Sequence, residues 1–163
     1  MLKQNKAVVR KYFNEVLKKG NYDAVKEIFS PSFIFCGPSM KKPVSGLPGI
    51  IYEFVSSARH AFPDLYFSIE NEIAEDDQVA VVWRMTGTHK KQFRDIPPSG
   101  KLVTLTGMDI FFIENGKIEG MWAFFEMKSA LEQLLILTNK NKKRKTTKKK
   151  KNIRLSVIRK MKK

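Results

Sequence analysis

Glu126 is the residue whose setting most suggests chemistry. The segment 118–126 reads Ile-Glu-Gly-Met-Trp-Ala-Phe-Phe-Glu, and side chains alternate faces along a strand. Trp122, Phe124 and Glu126 therefore share one face, and Met121, Ala123 and Phe125 share the other. A carboxylate two residues beyond an aromatic pair has two readings. Either it ends the strand in solvent, or it faces an enclosed apolar space. In the second case burial disfavours the charged form and raises the pKa, which makes a carboxylate an acid or base near neutrality. Other chemistries find little material. Two histidines and one cysteine, Cys36, do not make a zinc site of the usual His/Cys type or an intrachain disulfide. No Gly-rich phosphate loop occurs.

The elements that must position this carboxylate follow from periodicity. Asn115-Gly116, between two apolar runs, is a hairpin signal, because a primed two-residue turn needs positive φ at both positions. Strands are expected at Phe33–Cys36, Phe67–Ile73, Val79–His89, Leu102–Ile113 and Ile118–Glu126. On the second long strand Val79, Val81, Trp83, Met85, Gly87 and His89 share a face. Residues 5–19 predict one amphipathic helix through Val8, Val9, Tyr12, Phe13, Val16 and Leu17, with Gly20 as its left-handed stop. A short helix is expected at Tyr22–Phe29, a third at 48–61 ending before Pro63, and a last at Ser129–Leu137 behind a Ser-x-x-Glu capping box. Helices first, then an antiparallel meander without βαβ alternation, give an α+β class. Several late strands are apolar on both faces. One face packs on the helices, and a second subunit is the simplest cover for the other.

The composition bounds the rest. A chain of 163 residues with 42% hydrophobic side chains can bury the core of one domain. No apolar run reaches the length of a membrane span, and no apolar leader opens the chain, so a reducing, cytoplasmic setting is expected. The net charge of +15 is concentrated. Residues 138–163 carry 14 Lys or Arg and no acidic residue, while residues 1–137 hold 17 basic and 16 acidic side chains. The expected division is a domain at 1–137 and a basic, low-complexity, partly disordered tail at 138–163.

Five segments carry a resemblance: Asn5–Gly20, Phe62-Pro63-Asp64-Leu65, Thr86-Gly87-Thr88-His89, Ile96-Pro97-Pro98-Ser99-Gly100-Lys101 and Glu114-Asn115-Gly116-Lys117-Ile118. In order and spacing they resemble the SnoaL-like polyketide cyclase (ester cyclase) family over residues 5–135. The resemblance implies the nuclear transport factor 2-like cone, a curved antiparallel sheet packed on N-terminal helices around a pocket. It implies cofactor-free acid–base catalysis on a small apolar carbonyl compound: proton removal beside a carbonyl, then intramolecular aldol ring closure or isomerisation. The same fold also hosts pocket proteins that bind without turnover.

Residue by residue, Glu126 stands where the family has an aspartate after the Trp strand, which implies the acid/base role. His89 matches the histidine at its strand end, near the pocket mouth, as a partner for a substrate oxygen or the proton. Trp83, Phe111, Trp122 and Phe124, with Phe35, would form an apolar wall suited to a flat polycyclic substrate. Asp109, on the neighbouring strand, would pair with either catalytic group or else point outward, and the outward reading is preferred here. Ala123 and Cys36 replace an aspartate and a histidine that are common in the family.

The tail adds a partner class. Asn139–Lys151 is a basic low-complexity run, and 152–163 has a basic amphipathic helical pattern, features of contact with nucleic acid or an anionic surface. In a eukaryotic cell such a run also reads as a nuclear localisation signal. The full chain is expected to bind heparin more tightly than residues 1–137, with an affinity that falls steeply as salt rises. Equal binding of the two in a salt-titrated fluorescence assay contradicts this.

Overall fold

The computed structural model describes residues 1–38, 40–45, 49–93 and 95–125, together with Glu132 and Leu134. Glu126, most of the expected 129–137 helix and the basic tail lie outside the described residues. The chain order is α1 (Leu2–Lys11), a π-helical continuation (Tyr12–Lys18), α2 (Val25–Ile28), β1 (Phe29–Cys36), β2 (Val44–Ser45), α3 (Gly49–Ala61), β3 (Tyr66–Glu75), β4 (Gln78–Thr88), β5 (Leu102–Glu114) and β6 (Lys117–Phe125). This is the expected α+β order, with the strands collected in one six-stranded sheet ordered β2-β1-β6-β5-β4-β3.

The hairpins form where the turn residues demand. Asn115 and Gly116 take φ of 50° and 74° and join Glu114 to Lys117. Register slips between Ile69 and Asn71 and between Phe112 and Ile113 add local twist, the usual way in which a sheet is made to curl. One pairing departs from the expected antiparallel sheet: β1 runs parallel to β6. No hairpin links these strands, so turn chemistry does not dictate their relative direction. The Phe62-Pro63-Asp64-Leu65 segment has a mechanical role. Asp64 accepts the Thr88 amide at 2.7 Å and the Thr88 hydroxyl at 2.5 Å, tying the end of α3 to the end of β4.

The core lies between the helices and the concave sheet face. Val79, Val81 and Trp83 of β4, and Val103, Leu105 and Phe111 of β5, point inward, alternating with exposed or half-buried neighbours. The expected single helix at 5–19 is instead an α-helix that widens into a π-helix at Tyr12. The Asn14 carbonyl accepts the Lys19 amide, five residues on, at 3.2 Å. Tyr12, Phe13, Val16 and Leu17 are all buried there. Burial of four large side chains against a curved sheet is a tertiary demand, and a local 3.6-residue pattern does not anticipate it.

The helix end is closed by a residue far along the chain. Arg59 of α3 donates from Nη1 to the carbonyls of Leu17 at 3.2 Å and Lys18 at 2.8 Å. Gly20 follows at φ 71°, and a Cβ there would come within 2.8 Å of Arg59 Nε. Arg59→Ala leaves those carbonyls without a charged donor and is expected to cost about 1–3 kcal/mol in urea unfolding. A loss below about 0.5 kcal/mol would show that water replaces the contact.

Candidate functional site

A cavity of about 230 Å³ opens between the helices and the inner sheet face. Tyr12 and Leu17 come from the π-helical segment, Phe35 from β1, and Ile51 and Phe54 from α3. The sheet supplies Phe67, Trp83, Asp109 and three β6 residues, Met121, Ala123 and Phe125. The aromatic wall is interlocked: Trp83 packs on Phe67 at 5.7 Å and on Phe125 at 6.3 Å between ring centroids, and Phe125 packs on Phe54 at 6.0 Å.

Among the described lining residues Asp109 is the one carboxylate in this apolar wall. It is 6% exposed. The Trp83 indole N–H donates to its Oδ2 at 2.8 Å, and its Oδ1 has no hydrogen-bond partner among the described residues. The geometry follows from the sheet register. Trp83 pairs with Gly107 across β4 and β5, and a Cβ at Gly107 would sit 2.2 Å from the indole ring. Glycine thus lets the indole lie flat across the neighbouring strand and reach Asp109, two residues along on the same face. Burial pushes the Asp109 carboxyl up to about 7, against the opposing pull of the Trp83 hydrogen bond.

The sequence candidates separate. Trp83, Asp109 and Phe35 line the cavity. The preferred outward reading of Asp109 is wrong: in β5 it shares the inner face with Phe111 and Leu105. Phe111 is fully buried, packed on Tyr12 and Phe13 behind the described cavity wall. Trp122 and Phe124 are corrected as well. They are 47% and 51% exposed on the outer sheet face, while Met121, Ala123 and Phe125 look inward. Both faces of β6 are apolar, so alternation set two groupings without telling which was inner. Glu126 lies outside the described residues.

His89 is buried but does not line this cavity. Its amide and carbonyl bond Lys101 and Gly100, each at 2.8 Å. The Ser99 amide donates to Nδ1 at 3.2 Å, and the ring lies against Phe62 at 5.2 Å. Burial holds its pKa below the ordinary histidine value, with the backbone of Lys91 opposing. From Lys101 to Asp109 the strand runs roughly 25 Å, so His89 and Asp109 cannot share a proton. The Ile96–Lys101 segment and His89 instead close the 90–100 loop. The sequence did not single out Tyr12, Leu17, Ile51, Phe54, Phe67, Met121, Ala123 or Phe125 as lining residues, because apolar spacing looks the same whether it meets a core or a cavity.

A curved sheet wrapped on helices around an apolar cavity, with Asp109 the one carboxyl among its described lining residues, defines a fold of the nuclear transport factor 2-like type. The sequence profile of the SnoaL-like polyketide cyclases matches residues 7–134, and the chain belongs to that family. Solved structures agree on the fold. A Jannaschia sp. CCS1 protein assigned to the SnoaL-like polyketide cyclases is 28% identical with a TM-score of 0.72, over 81% of this chain and 92% of that one. An Acidithiobacillus ferrooxidans protein assigned as a polyketide cyclase is 24% identical with a TM-score of 0.73, over 82% and 96%. AclR from Streptomyces galilaeus, named as a hydroxylase, is 20% identical with a TM-score of 0.72, over 82% and 97%. No curated protein matches the sequence. Among the described residues no helix is long and apolar enough to cross a membrane.

The raised Asp109 pKa has a consequence for stability. The folded state keeps a proton on Asp109 that the unfolded chain loses near pH 4, so this contribution is full below that pH and is lost as pH rises through about 7. Asp109→Asn keeps an acceptor for Trp83 and never ionises. Its melting temperature is expected to exceed that of the wild type by a margin that widens from pH 5 to pH 8. A margin independent of pH would show that Asp109 titrates normally.

Proposed function

We propose that this SnoaL-like protein binds a small apolar carbonyl compound and acts on it by acid–base chemistry, with Asp109 as the group that moves the proton. The carrying observation is the Asp109 carboxyl in an apolar wall, held by Trp83 through one oxygen, with the other unpartnered among the described residues. Ionised, it takes a proton from the carbon beside a carbonyl. The electron pair left behind makes an enolate, which either attacks a second carbonyl in the same molecule or is reprotonated elsewhere. The carboxyl then returns the proton. A pKa near neutrality serves both steps. The apolar surroundings bind the carbon skeleton and keep water from quenching the enolate. This chemistry draws only on the chain's own groups.

The outer sheet face supports a second copy as partner. Ile34, Val82, Met108, Phe112, Trp122 and Phe124 are 37–51% exposed there. Val82, Met108 and Phe124 stand in one cross-strand row over β4, β5 and β6. An apolar field of this kind on a sheet face suits self-association about a two-fold axis. The basic 138–163 segment is a separate feature that favours polyanion contact by charge alone.

Native mass spectrometry on the full chain purified from cells reads subunit number and retained ligand together. A dimer carrying a neutral apolar compound is the expected result. Asp109→Asn should lower turnover of that compound by about 10²–10⁴-fold with little loss of binding, and wild-type turnover should rise with pH toward a plateau above about 7. Glu126→Gln in the same assay apportions the role between the two carboxylates. Full activity in Asp109→Asn removes Asp109 from the mechanism. Binding without turnover in the wild type leaves a non-catalytic pocket protein.

A further inference from the structure

The sheet leaves one long edge. β2, on one side, is two residues long. β3, on the other, runs ten residues from Tyr66 to Glu75, and among the described residues it pairs with β4 alone. No backbone group of the described residues bonds β3 from outside that ladder. An unpaired strand edge is a row of main-chain donors and acceptors able to pair with another extended chain. Natural edges are blunted by lysines and bulges, and β3 carries both at one end. The Lys6 ammonium donates to the Glu72 carbonyl at 3.2 Å, just beyond the register slip between Ile69 and Asn71. From Tyr66 to Ile69 the edge carries neither device.

In front of this edge lies a groove of about 640 Å³, bounded by β3 from Tyr66 to Glu72 and by the helix from Lys6 to Lys18. It shares only Phe67 with the apolar cavity. Phe13, Phe67 and Ile69 give it apolar surface. Its charges do not cancel. Arg10 is paired with Glu72, and Glu70 with Arg84 at 3.4 Å. Lys6 and Lys18 have no carboxylate partner among the described residues. Lys18 Nζ instead lies 4.4 Å over the ring of Tyr66, which is 48% exposed. Two cations thus remain, one at each end of the groove, roughly 18 Å apart along the helix. Glu72 adds an acceptor. Its side chain is 10% exposed, and its Oε2 is buried with no hydrogen-bond partner among the described residues. Arg10 already offsets the charge of that carboxylate, so a neutral N–H suits the free oxygen.

We propose that this groove docks an extended, acidic peptide segment of another protein, which adds to the sheet beside β3, pairs its main chain with Tyr66–Ile69 and sets one carboxylate against Lys18 and a second against Lys6. The stretch from Tyr66 to Glu72 spans roughly 20 Å at about 3.3 Å per residue, so the two carboxylates stand six residues apart on one face of the peptide. The residues between them are uncharged. A main-chain N–H at the Glu72 end meets Oε2. In strand addition the main chain supplies affinity and the side chains supply selectivity. A nucleic-acid strand fits less well, because it carries a charge on every residue and would set phosphates against Glu70 and Glu72. The docking site is independent of the chemistry at Asp109.

The test uses the full chain and a labelled peptide, Glu-Val-Thr-Ser-Thr-Val-Glu with blocked ends. Binding is read by fluorescence anisotropy, and its place by hydrogen exchange with mass spectrometry. A second peptide has the same sequence N-methylated at its three central residues, and a third has Lys at both ends. The basic 138–163 segment attracts both acidic peptides by charge, so the N-methylated one measures that background in the same chain. The parent peptide should bind about tenfold more tightly than the N-methylated one. It should slow exchange over residues 66–71 and leave 102–114 unchanged. Lys18→Ala should weaken it about threefold to fivefold, and Lys18→Glu about tenfold. The Lys-ended peptide should not bind. Equal binding of the parent and N-methylated peptides, with exchange over 66–71 unchanged, shows attraction by charge alone and overturns the proposal. Full affinity in Lys18→Glu overturns it as well. Protection of 66–71 by a single-stranded oligothymidylate, equal to that by the peptide, assigns the groove to nucleic acid instead. If the Lys18 variants fail to fold, the wild-type exchange map decides by itself, since unprotected 66–71 amides exclude strand addition.

Discussion

The site depends on one indole ring crossing one glycine. Trp83 lies over Gly107, where a methyl group would stand 2.2 Å from the ring, and the N–H that emerges on the far side holds Asp109 at 2.8 Å. A wrong pairing of β4 with β5 would lose this. A shift by one residue would turn Trp83 outward and put a side chain beneath its ring. The antiparallel register from Gln78↔Phe112 to Thr88↔Leu102 is unbroken, so the contact that places the carboxyl is fixed by the longest uninterrupted pairing in the sheet. The three register slips in the sheet occur in other ladders, β1–β6, β3–β4 and β5–β6.

A curved sheet and a widened helix together explain why there is a cavity and not a solid core. Where α1 becomes a π-helix, Tyr12 and Leu17, five residues apart, both reach the same space. Arg59 closes the far end of that segment from α3, whose Ile51 and Phe54 form another wall. An enclosed space of this kind leaves a polar group either paired with protein or available to a ligand. Asp109 is half paired: its Oδ2 takes the Trp83 N–H, and its Oδ1 has no partner among the described residues. An unsatisfied buried polar group costs on the order of 1–3 kcal/mol, a cost that a bound carbonyl compound would offset.

The two faces of β6 show how far a pattern carries. Trp122 and Phe124 look like a pocket wall because they are large and aromatic, yet they occupy the outer face, where a second copy is the proposed cover. The inner face uses Met121, Ala123 and Phe125. Small Ala123 and unbranched Met121 leave room that two aromatic rings would fill. Family membership and fold do not settle activity here, since structures of the same shape carry the names of cyclases and of a hydroxylase. The chemistry must be argued from the Asp109 carboxyl and the apolar wall around it.

Local physics was legible in the chain alone. Asn115-Gly116 could only be a tight turn, Pro63 had to end α3, period-two burial fixed the strands β4 and β5, and the order of elements set an α+β class. The five segments at family spacing pointed to the fold. Helical and strand periods are properties of neighbouring residues, and they survive without knowledge of the partner surface. What only the tertiary structure decided was which apolar face is inner, where β1 pairs, and what each polar residue meets. Asp109 is one carboxylate among 16 acidic side chains, flanked by Met108 and Ile110 on a strand apolar on both faces, so nothing local separates an inward from an outward position. His89 reads as chemistry in one dimension and is a buried loop clasp in three. The pKa of a group depends on the dielectric and the donors around it, and those come from segments far away in the chain. That is why Trp83 and Gly107, through a cross-strand contact, identify Asp109 when the sequence around it does not.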